Sequence, residues 1–144
     1  MPIQSVQYPP VSYLPLFCKF LYKYESLRNY RSVESFERVK NGYIARIGQI
    51  IGGTKRVLLH QTISEMENFN RASVNGEVMF ITGNAKIELD FIRHIRNSIA
   101  HGLLKKAGKY FIIEDYTNQS RRNLSAYGKI EAKKIKELLE TYIN

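Results

Sequence analysis

Apolar residues recur at helical spacing in several stretches of the chain and concentrate at strand-like spacing in very few. The clearest helix is marked by Ile87, Phe91, Ile95 and Ile99, four residues apart, with Ile92 beside them. That spacing gives one buried stripe. An advance of about 100° per residue places Asp90, Arg93, Asn97 and His101 together on the opposite face, with His94 at its edge. Gly102 is the predicted stop, because glycine accepts the left-handed conformation at low cost.

The same reasoning predicts the other elements. Pro2, Pro9 and Pro10 make residues 1–12 an irregular arm. A first helix runs from about Pro15 to Asn29, with Leu16, Phe20, Tyr24 and Leu27 as its stripe, Phe17 and Leu21 beside it, and Glu25 on the flank. A second follows the cap Ser32, carries Glu34 in its first turn, and ends at Gly52 and Gly53. Its buried stripe is Phe36, Val39, Tyr43, Ile47 and Ile50. From Thr54 to Gly83 the pattern is less regular. Leu59, Ile63 and Met66 suggest a helix through about Phe69, Asn75 and Gly76 a turn, and Glu77 to Thr82 an apolar run of either type. Thr82 or Asn84 is the expected cap of the helix that ends at Gly102. Beyond it, Lys109 to Asp115 reads as a strand, Thr117 to Asn123 as a loop, and Leu124 to Tyr127 as a returning strand. The last helix, about Lys129 to Tyr142, turns Ile135, Leu138, Leu139 and Tyr142 inward. There is no internal repeat or linker, so one domain over residues 1–144 is expected.

Composition narrows the function. A chain of 144 residues can bury one core. Its 22 Lys and Arg against 13 Asp and Glu give a net charge of +9, which favours nucleic acid first and an acidic membrane surface second. Lys105, Lys106 and Lys109 follow His101 closely, and Arg93 shares its helix face; all four are candidate phosphate anchors. The single cysteine, Cys18, supports neither an internal disulfide nor a thiolate zinc cluster, and is expected to pack within the first helix. His60, His94 and His101 form no recognisable metal motif, so neither a metal nor a cofactor is expected. His94 reads as a flanking polar residue that can help bind substrate. Gly52 to Lys55 lacks the spacing of a phosphate-cradling loop. Without a secretory signal or a membrane-length apolar run, the expected location is cytoplasmic.

The candidate chemistry lies in Arg96, Asn97 and His101. A guanidinium can hold a phosphate through two nitrogens, and an imidazole can move a proton near neutral pH. Those are the needs of metal-free RNA cleavage. Cations near a helix C-terminus also have a purely structural use, since they complement the helix dipole. His101 lies five positions after Arg96, a splay of about 140° on a straight helix. Either the chain bends at Gly102, or a second copy of the protein supplies the missing partner. The second arrangement is the favoured one.

The run Ile95-Arg96-Asn97-Ser98-Ile99-Ala100-His101-Gly102 resembles the signature of HEPN domains: an Arg followed directly by a polar residue, often Asn, and a His with four to six residues between it and the Arg, here four. Phe20 to Glu25 is similar to the first-helix pattern of some members, in which an acidic residue near the active centre follows an aromatic. The resemblance implies a mainly α fold, an antiparallel helical bundle, here with a small β-hairpin insertion before the last helix. It also implies a metal-independent endoribonuclease working as a homodimer with a composite active site, a toxin or phage-defence (abortive infection) effector, with an antitoxin or regulatory protein as a further partner. His101 would be general base on the ribose 2′-hydroxyl, Arg96 would stabilise phosphoryl charge, and Asn97 would hold the geometry. Glu25 and His94 would be accessory. A flanking Glu usually makes an exposed ion pair; only if Glu25 faces the motif instead would it neutralise or steer Arg96 until RNA arrives. One branch of the family carries Tyr two residues after the motif His and is silenced by a nucleotidyltransferase. That position is Leu103 here, so control by tyrosine adenylylation is not inferred. Two alternatives stay open: a non-catalytic module of the same fold that binds nucleic acid or a protein, and a basic helical DNA-binding protein.

Overall fold

Among the described residues helices form where the apolar stripes predict them, and a sheet gathers the strands into a layer against which they pack. The computed structural model describes residues 11–27, 42–51, 55–58, 76, 78–81, 87–116 and 124–144. A 3-10 turn, Val11–Tyr13, leads into α1 (Leu14–Ser26), followed by α2 (Tyr43–Ile51), β1 (Lys55–Leu58) and β2 (Val78–Ile81). Then come α3 (Ile87–Ala100), β3 (Lys105–Ala107), β4 (Tyr110–Tyr116), β5 (Leu124–Glu131) and α4 (Ala132–Ile143). Most of the proline-rich arm, the first part of the expected second helix with its cap Ser32, the expected helix near residues 59–69 and the loop at 117–123 lie outside the described residues.

On α1, Phe17 and Phe20 are buried, and Leu27 closes the helix end. Leu16, Leu21 and Tyr24 flank that face. Cys18 is exposed, a correction to its expected burial. It lies about 100° around the helix from Phe17 and so falls outside the stripe. On α4 the residues expected to face inward, Ile135, Leu138, Leu139 and Tyr142, are all buried. That helix starts later than its periodicity suggests, because Lys129 and Ile130 stay paired with Ile112 and Phe111 in the ladder.

Helix prevails over strand among the described residues, and the hairpin before the last helix is present as β4 and β5. The sheet is larger than that hairpin. Among the described residues it has five strands in the order β1-β2-β5-β4-β3. β1 runs parallel to β2, and the other neighbours are antiparallel. β3 and β4 are joined by a two-residue turn in which Gly108 takes φ +62°, as tight hairpins of this length require. A register shift between Asp115 and Tyr116 interrupts the β4–β5 ladder.

One face of the sheet, through Phe80, Phe111, Ile113, Ala126 and Ile130, shares a core with α1, α2, α3 and α4. Each fully buried Phe or Ile there contributes roughly 1.5–3 kcal/mol relative to exposure. Met79, Ile112, Leu124 and Tyr127 form a smaller cluster. Aromatic rings join the helices: Tyr142 meets Phe20 edge-on at 5.1 Å and Tyr43 at 5.4 Å, and it stacks on Tyr24 at 6.1 Å. The Tyr43 hydroxyl donates to the Leu138 carbonyl at 2.8 Å. Burial pushes Tyr43 well above the usual tyrosine range, reinforced by Tyr142 and opposed by Arg46. Tyr142 is raised by burial first and by Tyr24 second.

Candidate active site

The site is built at the C-terminal half of α3. Phe91, Ile92 and Ile95 bury one face of the helix, and Ser98 joins them inside. Its termination fixes where His101 stands. The Gly102 N–H donates to the Ile99 carbonyl at 3.1 Å and the Leu103 N–H to the Ser98 carbonyl at 2.7 Å. Those two bonds are a Schellman ending, and Gly102 supplies its left-handed residue at φ +69°. Leu103 and Leu104 then turn into the core, so an apolar residue two places after His101 serves packing. His101 itself is exposed.

The bend at Gly102 comes too late to bring the imidazole round to Arg96. The His101 N–H still donates to the Asn97 carbonyl at 3.0 Å, so His101 continues the helical path. Among the described residues its ring makes no hydrogen bond or ion pair, and no side-chain bond links it to Asn97.

Arg96 points the other way, toward α1. Its Nη2 donates to Glu25 Oε2 at 3.1 Å and its Nη1 to Asn97 Oδ1 at 3.0 Å. The guanidinium lies 5.9 Å above the Tyr24 ring. Its Nε is buried and has no hydrogen-bond partner among the described residues. The side chain keeps 30 % of its surface exposed and that of Glu25 keeps 49 %, so the pair faces solvent at the surface. Glu25, Arg96 and Asn97 are thus brought together. They come from two helices whose buried residues, Phe20 and Ile95 among them, belong to one core.

Asn97 also donates from Nδ2 to Asp115 Oδ2 at 3.1 Å. The same oxygen takes His94 Nδ1 at 2.8 Å, and Asp115 Oδ1 accepts the Tyr116 N–H at 2.8 Å. His94 and Asp115 are each 1 % exposed. His94 was placed by spacing at the edge of the polar face, as a flanking residue; instead it sits inside, against Phe80, with its ring centroid 5.7 Å away. Arg93 Nη2 lies 3.4 Å from His94 Nε2. A donor-only guanidinium on one nitrogen and an acceptor-only carboxylate on the other suit the neutral tautomer with hydrogen on Nδ1. Ser98 completes the docking of α3 on β4, its Oγ accepting the Glu114 N–H at 3.3 Å.

The candidate phosphate anchors spread along the neighbouring surface. Arg93 pairs with Asp90 at 3.5 Å. Lys105 and Lys106 lie on β3, and Lys106 Nζ donates to the Gly108 carbonyl. Lys109 lies at the β3–β4 turn, 4.0 Å from Glu131 and 5.5 Å from the Tyr110 ring centroid. No group of three or more His, Cys, Asp or Glu among the described residues is arranged to hold a metal ion. No helix among them is long and apolar enough to cross a membrane.

Asp115 is the residue that spacing alone passes over. Its signal was present: Phe111, Ile113 and Asp115 share one face of an alternating strand, which puts a carboxylate on the core side.

The family model described as HEPN pEK499 p136 matches residues 16–144, the whole span from α1 to the end of the chain. The chain belongs to this HEPN family. No curated protein and no solved structure matches it. Membership in the HEPN family points to a nuclease, RNA-related or nucleotide-binding role. The matched span contains Glu25, Arg96, Asn97 and His101, the residues on which the first resemblance rested.

Proposed function

We propose that this HEPN protein is a metal-independent endoribonuclease, a toxin or phage-defence effector that acts as a homodimer with a composite active site. His101 takes the proton of a ribose 2′-hydroxyl, and the freed oxygen attacks the adjacent phosphorus. The bond to the 5′ oxygen breaks and that oxygen takes a proton from water, leaving a 2′,3′-cyclic phosphate and a 5′-hydroxyl. Arg96 stabilises the charge that gathers on the phosphoryl oxygens. Only RNA offers that 2′-hydroxyl. Arg93, Lys105, Lys106 and Lys109 hold flanking phosphates. An antitoxin or regulatory protein would mask this surface, and the cytoplasm is where its RNA would be met.

One observation carries the reading. Arg96 is oriented by Glu25 and Asn97 and remains open to solvent, while the His101 ring stands exposed past the helix end. A helix-bound splay separates the two within a subunit, which favours a site completed by a second copy. The same splay supports the second reading, a binding module that keeps Arg96 and makes no use of proton transfer. Incubation of matched RNA and DNA strands in a chelator, followed by mass spectrometry of the ends, separates them. Cyclic phosphate ends from RNA alone are expected. Cleavage of DNA, or no cleavage of any RNA offered, goes against the nuclease.

A further inference from the structure

We propose that Asp115 is a positioning residue, which acts on the site through Asn97 and sets the orientation of the Arg96 guanidinium. The proposal rests on the reading of Arg96 as the group that stabilises charge on the phosphoryl oxygens. Asp115 lies on β4, outside the motif helix, and its hydrogen bonds go to His94, Asn97 and Tyr116 rather than to Arg96. Its effect is carried by the polarity of one amide. Asn97 presents oxygen to Arg96 Nη1 and NH2 to Asp115 Oδ2. A flipped amide would set its oxygen against the carboxylate and its NH2 against the guanidinium, so neither bond would survive. An ionised carboxylate is acceptor-only, and here it permits one amide orientation.

The carboxylate is itself held. Besides Asn97 it accepts the His94 ring and the Tyr116 N–H, the latter at the register shift in the β4–β5 ladder. Asp115 is 1 % exposed, so water does not compete for these bonds. The outcome is a continuous run from the sheet to α1: Asp115 to Asn97, Asn97 to Arg96, Arg96 to Glu25. Two of the guanidinium's nitrogens are fixed from opposite sides, and His94 braces the far end.

Reversal of one bond tests this. Asp115→Asn keeps the shape, but a single oxygen cannot serve His94, Asn97 and Tyr116 together. Combining it with Asn97→Asp exchanges donor and acceptor. The amide at position 115 then donates to a carboxylate at position 97, which still accepts from Arg96; His94 accepts on Nδ1 in its other tautomer, and the Arg93 side chain, 45 % exposed, turns away from Nε2–H. Two readouts are followed in the full-length protein: the NMR signal of the buried Arg96 Nε–H, assigned by its loss in Arg96→Lys, and RNA cleavage. Asp115→Asn is expected to shift or broaden the Arg96 signal and to lower kcat by about tenfold or more with KM little changed. The exchange variant is expected to recover the signal and part of kcat. An unchanged Arg96 signal in folded Asp115→Asn, or an exchange variant no better than the single one, overturns the proposal. Should Asp115→Asn fail to fold, Asn97→Leu, which keeps the His94–Asp115 pair, must show the same change in the Arg96 signal; an unchanged signal there is equally fatal. If the wild type cleaves no RNA, the nuclease reading falls, and the Arg96 signal alone decides the role of Asp115.

Discussion

Arg96 on α3 and Glu25 on α1, 71 positions apart in the chain, meet at 3.1 Å. The contact puts a carboxylate on the nitrogen that an RNA phosphate would seek. Glu25 orients the guanidinium, and under the proposed function it would compete with substrate at the same time.

Glu25→Gln should separate those effects. The ion pair is exposed on both sides, so its loss should change stability by no more than about 1 kcal/mol. RNA binding should tighten, and the salt dependence of binding should steepen by about one counterion, because one more cation is available. Titration of RNA at several salt concentrations reads both. Weaker binding than wild type would mean that Glu25 does not compete with phosphate.

His94 has a structural duty that its place in the motif helix conceals. His94→Ala removes a buried donor from Asp115 and leaves a cavity beside Phe80. The expected loss is roughly 3 kcal/mol, from one hydrogen bond to a charged group and the cavity together. Chemical denaturation measures it. A loss below about 1 kcal/mol would show that the pair with Asp115 contributes little.

Gly102→Ala tests the helix ending. No heavy atom lies within 4 Å of a Cβ built there, so the cost is conformational rather than steric. A left-handed alanine costs about 1–2 kcal/mol. The melting temperature should fall by a few degrees, and RNA cleavage should fall further than stability does, because the position of His101 depends on the same turn.

Alkaline pH should weaken the fold through the tyrosines. Tyr43 and Tyr142 hold their protons in the folded state well above the usual range, through burial, whereas in the unfolded chain they titrate near pH 10. Above about pH 10 the folded state binds more protons than the unfolded one, so stability falls as pH rises. Their contribution is intact below that point. Melting curves from pH 8 to 11 should be flat in this respect at first and then decline, and Tyr43→Phe should flatten the decline.

The helices were legible because their apolar residues repeat every three or four positions. Ile135, Leu138, Leu139 and Tyr142 on α4 are buried as the spacing indicates. Arg96, Asn97, His101 and Glu25 were legible as a motif, and the structure joins the first two to Glu25. Much of the sheet was not. β1 owes its place to a parallel partner more than twenty residues further on, and β3 is Lys-Lys-Ala, which carries no alternation of its own. The alternation of β4 showed which side Asp115 faces but not what it meets: its partners His94 and Asn97 lie 21 and 18 residues earlier, on another element. The depth of His94 follows from Asp115. Without the carboxylate in view, a histidine between Arg93 and Ile95 reads as surface.

The most direct test mixes two variants, Arg96→Ala and His101→Ala, and measures RNA cleavage by each alone and by the refolded mixture. Neither should cleave alone. In a mixture of symmetric dimers half are mixed, and each of those holds one intact site out of two, so about one quarter of wild-type activity should return. Cleavage at the wild-type rate by either variant alone, or a mixture as inactive as its parts, contradicts a site shared between one subunit's guanidinium and another's imidazole.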